Sequence, residues 1–299
     1  MTDNTVDVDV SGRRLKLSNL EKVLWPEAGF TKAQMIDYYA RVAEVMLPHV
    51  TGRPITLRRF PNGVDQQSFF EKNCPSHRPS WVSTVEMADV SYCQLSEPAA
   101  LVWTANLAAI ELHPSLAKRD HLERPTSVVF DLDPGPGADV ITCGRVALLL
   151  REALGLLGLT ALVKTSGSKG LQLYVPLNSK VSYEETRPFS LAIAQVLERQ
   201  HPELVVTTQD KAVRPNKVLI DWSQNASFKT TVSVYSLRAR PRPTASTPVS
   251  WEELEHACDA DDADALVFEA NQVLERIERF GDLMAPVLEV KQSLPVLKS

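Results

Sequence analysis

The apolar positions of this chain change period along its length, and each change marks an element. Over residues 31 to 48, Met35, Ile36, Tyr39, Val42, Val45 and Met46 recur at helical spacing behind Thr31, a residue suited to cap a helix start. Shorter apolar runs near 55 to 60 and 67 to 71 have strand character, and the alanine-rich stretch from Pro98 to Ile110 reads as more helical. From residue 126 the order becomes strand, helix (about 140 to 157), two strands, helix (about 184 to 200) and two or three further strands, the order of a sheet-and-helix palm. Helices are predicted near 251 to 258 and 264 to 280. Arg240-Pro-Arg-Pro-Thr-Ala-Ser-Thr-Pro248 is the one evident linker, and no internal repeat is present. The pattern predicts an α/β (α+β) fold of two lobes.

Two of the predicted strands end in acid: Val128-Val129-Phe130-Asp131-Leu132-Asp133 before Pro134-Gly135, and Val218-Leu219-Ile220-Asp221 before Trp222. A strand's two-residue period throws Asp131 and Asp133 to the same face, and Asp221 on a neighbouring strand could complete a cage of hard oxygen ligands for divalent cations. Alone, the same Asp-x-Asp reads equally as a solvated strand end before a turn. Lys164-Thr-Ser-Gly-Ser-Lys-Gly170 lies between two apolar runs, so it is a tight loop between strands. Its glycines allow close backbone approach, its hydroxyls donate and its lysine adds charge, which suits a phosphate; a polar hairpin turn is the plainer alternative. It lacks Walker A spacing.

Several motifs in series carry a resemblance. Phe130-Asp-Leu-Asp-Pro-Gly135, Ser166-Gly-Ser-Lys-Gly-Leu171, Asp221-Trp-Ser-Gln-Asn225 and Tyr235-Ser-Leu-Arg-Ala-Arg240 resemble the polymerase domain of bacterial DNA ligase D, in the archaeo-eukaryotic primase superfamily. Agreement continues in Asn19-Leu-Glu-Lys-Val-Leu-Trp-Pro26, Gly52-Arg-Pro54, Phe60-Pro-Asn-Gly-Val-Asp65, Phe69-Phe-Glu-Lys72 and Glu111-Leu-His-Pro114, over nearly the whole chain. The resemblance implies a primase-polymerase fold with a mixed-sheet, RRM-like catalytic palm, in a single domain over 13–290. Its N-terminal lobe would span about 13–125, its palm about 126–240 and an acidic helical segment about 250–290.

The resemblance also implies roles. Asp131, Asp133 and Asp221 bind two Mn²⁺ or Mg²⁺ ions for two-metal phosphoryl transfer. His113, Ser166, Ser168, Lys169 and Arg238 hold the incoming NTP or dNTP, with Gln172, Gln224 and Lys229 also at the nucleotide. Phe69 and Phe70 stack on a templating base, although one of two adjacent strand residues is expected to face the core. Asn19, Lys22 and Lys32 form a pocket for the 5′-phosphate across a gap. The family commonly has His where this chain has Gln172, so that contact is weaker or different here. No Lys-x-Asp-Gly ligase motif occurs, so the sequence reads as a stand-alone polymerase, similar to the actinobacterial primase-polymerases, acting beside a separate ligase and a Ku-like partner in end joining or base excision repair. The implied activity is template-dependent addition of nucleotides, ribonucleotides by preference, at gapped or broken duplex DNA.

A net charge of −5 suits this only because of its distribution. Residues 251 to 280 hold ten Asp or Glu against Arg276 and Arg279, a local −8, which leaves the rest of the chain at +3. Arg53 and Arg58, and Lys211, Arg214 and Lys217, belong to basic clusters taken as candidate DNA contacts. There is no signal segment and no apolar run near eighteen residues, so the expectation is a cytoplasmic enzyme with no membrane partner, and its four cysteines read as reduced packing residues. Two other classes stay in view. A haloacid-dehalogenase-like phosphatase expects Thr or Val two residues after its second Asp, where this chain has Gly135, and retention of all three acids argues against a non-catalytic DNA-repair module.

Overall fold

The protein is described here by a computed structural model covering residues 5–295. The chain divides into two compact units. The first takes the chain up to Ser115 and recovers Val232–Ser246 and Glu269–Gly281; the second takes Leu116–Thr231, Thr247–Phe268 and the chain from Asp282 on.

The first unit opens with two hairpins, β1 (Thr5–Val10) with β2 (Arg13–Ser18) and β3 (Val23–Trp25) with β4 (Phe30–Thr31). Thr31 then caps α1 (Lys32–Arg41), accepting from the Gln34 N–H while the Gln34 side chain accepts from the Thr31 N–H. The single helix expected over 31 to 48 is interrupted at Val42 and resumes as α2 (Ala43–Val50). A five-stranded sheet centres on β5 (Ile55–Arg59), which pairs with β6 (Phe69–Glu71) and β8 (Val90–Cys93), while β7 (Thr84–Met87) extends from β8. Against β5 runs β9 (Ala109–Pro114), so the helix expected to reach Ile110 ends earlier, as α3 (Pro98–Asn106). One cysteine expectation is corrected: Cys74 and Cys93 form a disulfide, with Cα atoms 4.8 Å apart. The N–H of Cys74 bonds the Ser91 carbonyl and draws its loop onto β8, a pairing that the 19-residue spacing does not reveal.

The second unit holds a six-stranded sheet in the order β13 (Val205–Val206), β14 (Val218–Asp221), β10 (Ser127–Pro134), β12 (Leu171–Pro176), β11 (Leu162–Thr165) and β15 (Pro248–Val249). All neighbours are antiparallel except β13 and β14. Pleating sends Val128, Phe130, Leu132, Leu171, Leu173, Val218 and Ile220 to one face. There they pack with Val146 and Leu150 of α4 (Val140–Leu156), Phe189 and Ile193 of α5 (Tyr183–Gln200) and Leu254 of α6 (Trp251–Ala260). Each such burial contributes about 1.5–3 kcal/mol, so this face is committed to the core. The polar residues between them are left on the other face.

The segment 240 to 248 is not a linker. Tyr235 N–H donates to the Ser246 carbonyl (2.7 Å), Thr165 N–H donates to the Thr247 carbonyl (2.8 Å), and Pro248 and Val249 are the edge strand. Its prolines and small polar residues let a backbone run through packed positions, with Ser246 and Thr247 fully buried. The last helix of the first unit, α7 (Ala270–Phe280), begins later than expected because Asp264–Leu266 is a separate 3₁₀ turn. Among the described residues no helix is long and apolar enough to cross a membrane.

Candidate active site

Register places the acids. Asp131 on β10 lies directly opposite Asp221 on β14, and Gln172 on β12 is its partner on the other side. Directly opposite residues share a face, and Asp133 follows Asp131 by one pleat, so all three carboxylates stand on the polar face of the second unit. Burial first, then the neighbouring Asp133 and Asp221, pushes the Asp131 carboxyl up to about 7, against a hydrogen bond from Gln172 and the charge of Lys164. Crowded carboxylates of this kind are the donor set a hard divalent ion takes. The side chains do not converge further: among the described residues no three acidic, His or Cys groups close into a metal-sized cluster.

Asp221 is held by the turn that follows it. Its Oδ1 accepts from Ser223 N–H (3.0 Å) and Ser223 Oγ (2.6 Å), and its Oδ2 from Gln224 Nε2 (2.8 Å). Asn225 then clips that turn to β10, accepting from Val129 N–H and donating to the Val129 carbonyl. Gln224, expected at the nucleotide, is thus a partner of Asp221 in this structure.

The Ser-Gly-Ser-Lys-Gly loop joins β11 to β12. Ser166 organises it from within, its Oγ accepting from the N–H groups of Ser168 and Gly170 (both 3.2 Å), while Ser168 and Lys169 are exposed. Gly170 lies so close to β10 that a Cβ would stand 1.9 Å from the Leu132 carbonyl oxygen. Gly170→Ala is therefore expected to force the loop off β10, costing about 1–3 kcal/mol in thermal or denaturant unfolding and at least about tenfold in nucleotide addition. Wild-type values for both would show that the loop is not pinned there.

The first unit carries a second cluster, around Glu111. Glu111 and His113 share a face of β9, and Glu111 is buried with Nε2 of His113 at 2.9 Å, Nε of Arg238 at 3.3 Å, Nη1 of Arg58 at 3.4 Å and the Ala239 N–H at 3.2 Å. Burial alone would raise its pKa, but the hydrogen bond from His113, the charges of Arg238 and His113 and the Ala239 N–H bring it down to about 2. Two buried tyrosines fix the segment carrying Arg238: Tyr38 Oη donates to the Tyr235 carbonyl (2.8 Å) and Tyr39 Oη accepts from the Leu237 N–H (3.1 Å). His113 and Arg238 are thus brought together, on an anion to which no role was assigned from sequence, although its two-residue spacing from His113 in the Glu-Leu-His-Pro motif was a signal for it.

Asn19, Lys22 and Lys32 also come together. Asn19 has a left-handed backbone (φ 54°) and its carbonyl accepts from the Lys22 N–H, whose own carbonyl accepts from the Lys32 N–H. Burial, then Lys22 and Arg59, lower the Lys32 pKa to about 8. Phe69 and Phe70 are both exposed, at 44% and 59%, which corrects the expectation that one faces the core. They lie on a three-residue strand beside Arg59 and Arg58, whose guanidinium groups stand 5.3 and 5.2 Å from the ring centres. Arg53 is corrected too: it is buried and donates to the carbonyls of His49 and Ser115, holding backbone instead of facing DNA. Arg58 is turned toward Glu111. In the second unit, Lys211, Arg214 and Lys217 lie on a segment clasped to the loop after Asp133, where Gly135 N–H donates to the Lys217 carbonyl and Asn216 N–H to the Pro136 carbonyl. Lys217 itself donates to the Pro202 carbonyl. Lys229 is half-buried in the loop after Asp221.

Comparison with known proteins agrees with this geometry. The family model for the LigD primase-polymerase domain matches residues 31–284. The multifunctional non-homologous end joining protein LigD of Mycolicibacterium smegmatis is 40% identical over 280 residues, covering 92% of this chain and 36% of that protein. LigD of Mycobacterium tuberculosis is 42% identical over 288 residues, covering 92% and 37%. The chain thus spans little more than a third of the curated relatives it matches. A solved structure, the polymerase domain of Mycobacterium tuberculosis ligase D in complex with DNA, superposes with a TM-score of 0.84 at 40% identity, over 93% of this chain and 99% of that one. By the extent of these matches, in sequence and in fold, the chain belongs to the LigD primase-polymerase domain family of DNA-directed nucleotidyltransferases.

Proposed function

We propose that this protein is a primase-polymerase that adds nucleotides, ribonucleotides by preference, at short gaps or broken ends, as one catalytic domain over 13–290, in the cytoplasm beside a separate ligase and a Ku-like partner. The placement of Asp131 opposite Asp221, with Asp133 one pleat away, carries this reading. Two divalent ions, Mn²⁺ or Mg²⁺, held by these acids would acidify the primer 3′-hydroxyl and neutralise the triphosphate. The protein's own groups bind and orient. Ser168 and Lys169 offer donors to phosphate, Lys169 as a point charge, and the family motifs carry His113 and Arg238, with its planar fork, as further nucleotide contacts. Exposed Phe69 or Phe70 supplies a sequence-tolerant stacking surface for a template base, and Lys211 and Arg214 contact backbone phosphates. A phosphatase of the haloacid-dehalogenase kind gains no support, since Asp131 lies between antiparallel neighbours and Gly135 follows.

The test is incorporation of labelled ribonucleotide into a one-nucleotide-gapped duplex in Mn²⁺. Primer extension by one residue is expected; none, with DNA bound, would overturn the reading. If Asn19, Lys22 and Lys32 hold a 5′-phosphate, a downstream 5′-phosphate should tighten binding over 5′-hydroxyl by about 1–3 kcal/mol, less as salt rises. Lys22→Ala with Lys32→Ala should erase the difference. Equal affinity of the wild type for both ends at low salt would remove the pocket.

A further inference from the structure

Lys164, Gln172, Asp131 and Asp221 form one row across four adjacent strands, each directly opposite the next in register. Lys164 and Gln172 are buried, at 1% and 3% exposure. Lys164 Nζ donates to Gln172 Oε1 at 2.6 Å, and Gln172, directly opposite Asp131 in register, holds that carboxyl's pKa down from its far side. This fixes which way the carboxamide points. An ammonium can only donate, so the amide must turn its oxygen to Lys164, which leaves its NH₂ on the side of Asp131. Lys164 is further enclosed by the Tyr174 ring, 5.6 Å from Nζ, and the Tyr174 hydroxyl is tied to Thr231 at 2.8 Å. Both ends of the Gln172 side chain are therefore engaged inside the protein, at the position where the family commonly has His.

We propose that Gln172, oriented by Lys164, is a positioning residue that fixes the Asp131 carboxylate for metal and does not contact the nucleotide. The inference rests on the reading of Asp131 as a metal ligand. A hydrogen-bonded partner behind a ligating carboxylate orients it, and loss of such partners lowers metal affinity or activity by about ten- to hundredfold. Lys164 bonds Gln172 and also faces Asp131 with its charge, so the two residues share one network and their effects should not add.

The experiment titrates Mn²⁺ into the intact protein, without DNA or nucleotide, by electron paramagnetic resonance. Asp131→Asn is the reference, compared with Gln172→Met, Lys164→Met and the double variant. Gln172→Met and Lys164→Met should each weaken Mn²⁺ binding by about tenfold or more, and the double variant should be no weaker than the worse single. At saturating Mn²⁺ on a gapped duplex, kcat should fall while the nucleotide KM stays within about twofold. Should Lys164→Met fail to fold, Gln172→Glu, which keeps an acceptor for Lys164 and removes the donor to Asp131, should show the same loss. A tenfold rise in nucleotide KM for Gln172→Met with Mn²⁺ binding unchanged would overturn the inference, as would additive losses in the double variant. If Asp131→Asn leaves Mn²⁺ binding unchanged, the metal reading of the acids fails with it; if Asp131→Asn abolishes binding and Gln172→Met does not, only the present inference fails.

Discussion

Asp221→Asn is expected to abolish nucleotide addition in a protein that still folds and still binds DNA. The amide keeps an oxygen where Oδ1 accepts from Ser223, so the turn survives, but it removes a charge from the face shared with Asp131 and Asp133. Loss of an anionic metal ligand removes several kcal/mol of transition-state stabilisation, on the order of a thousandfold or more in rate. Affinity for DNA should hold, since it comes mainly from basic phosphate contacts. Asp221→Ala is the less clean variant, because losing this cap costs about 0.5–2 kcal/mol of stability in its own right. Primer extension and DNA binding, measured side by side with a melting curve, separate the effects. Near-wild-type extension by Asp221→Asn would remove the two-metal reading.

The largest effect on stability is expected at Glu111. Glu111→Ala leaves Arg238 and Arg58 facing a site without their anion, and breaking a buried pair in this way costs about 3–5 kcal/mol. The wild type should show the matching pH signature. The folded pKa of about 2 lies below the usual 4.5, so the carboxylate's contribution is full above about pH 4.5 and is lost as pH falls toward 2. Denaturant unfolding of wild type and Glu111→Gln between pH 7 and pH 2 is the check. The gap between them should narrow through that window, and a gap constant with pH would show that Glu111 is not an ion there.

These two sites differ in how much the sequence disclosed. The acid face was legible because it depends only on a two-residue period and on two strands becoming neighbours; any such sheet puts Asp131 and Asp133 on one side. The Glu111 cluster depends on Arg238, far away in the chain, being carried back by Tyr38 and Tyr39, and no periodicity encodes that return. Helices α4 and α5 fell where apolar spacing put them. The first hairpin went unassigned although Val6, Val8 and Val10 alternate with Asp7 and Asp9 as a strand requires. The segment from Arg240 to Pro248 misled for a physical reason: proline and small hydroxyl residues suit an exposed linker and a buried irregular strand alike, and only the burial from Thr244 on distinguishes them. Gln172 could be noticed from sequence as a departure from the family, but its partners are set by register across β11, β12 and β10.

The division into two units has a consequence for how the polypeptide is made. The chain passes from one unit to the other at residues 115, 231, 246, 268 and 281. A nascent chain leaving the ribosome N-terminus first can therefore complete neither core early: Tyr38 waits for the Tyr235 carbonyl, and β11 waits for β15 as its edge. The first sheet needs only residues 55 to 114, but its unit lacks Val232–Ser246 and α7, and the second sheet lacks its β15 border, until late in translation, so the protein must finish folding after nearly all of it has been synthesised. A cut made at the first crossing would leave the N-terminal stretch without Val232–Ser246 and α7, which only the later chain can supply.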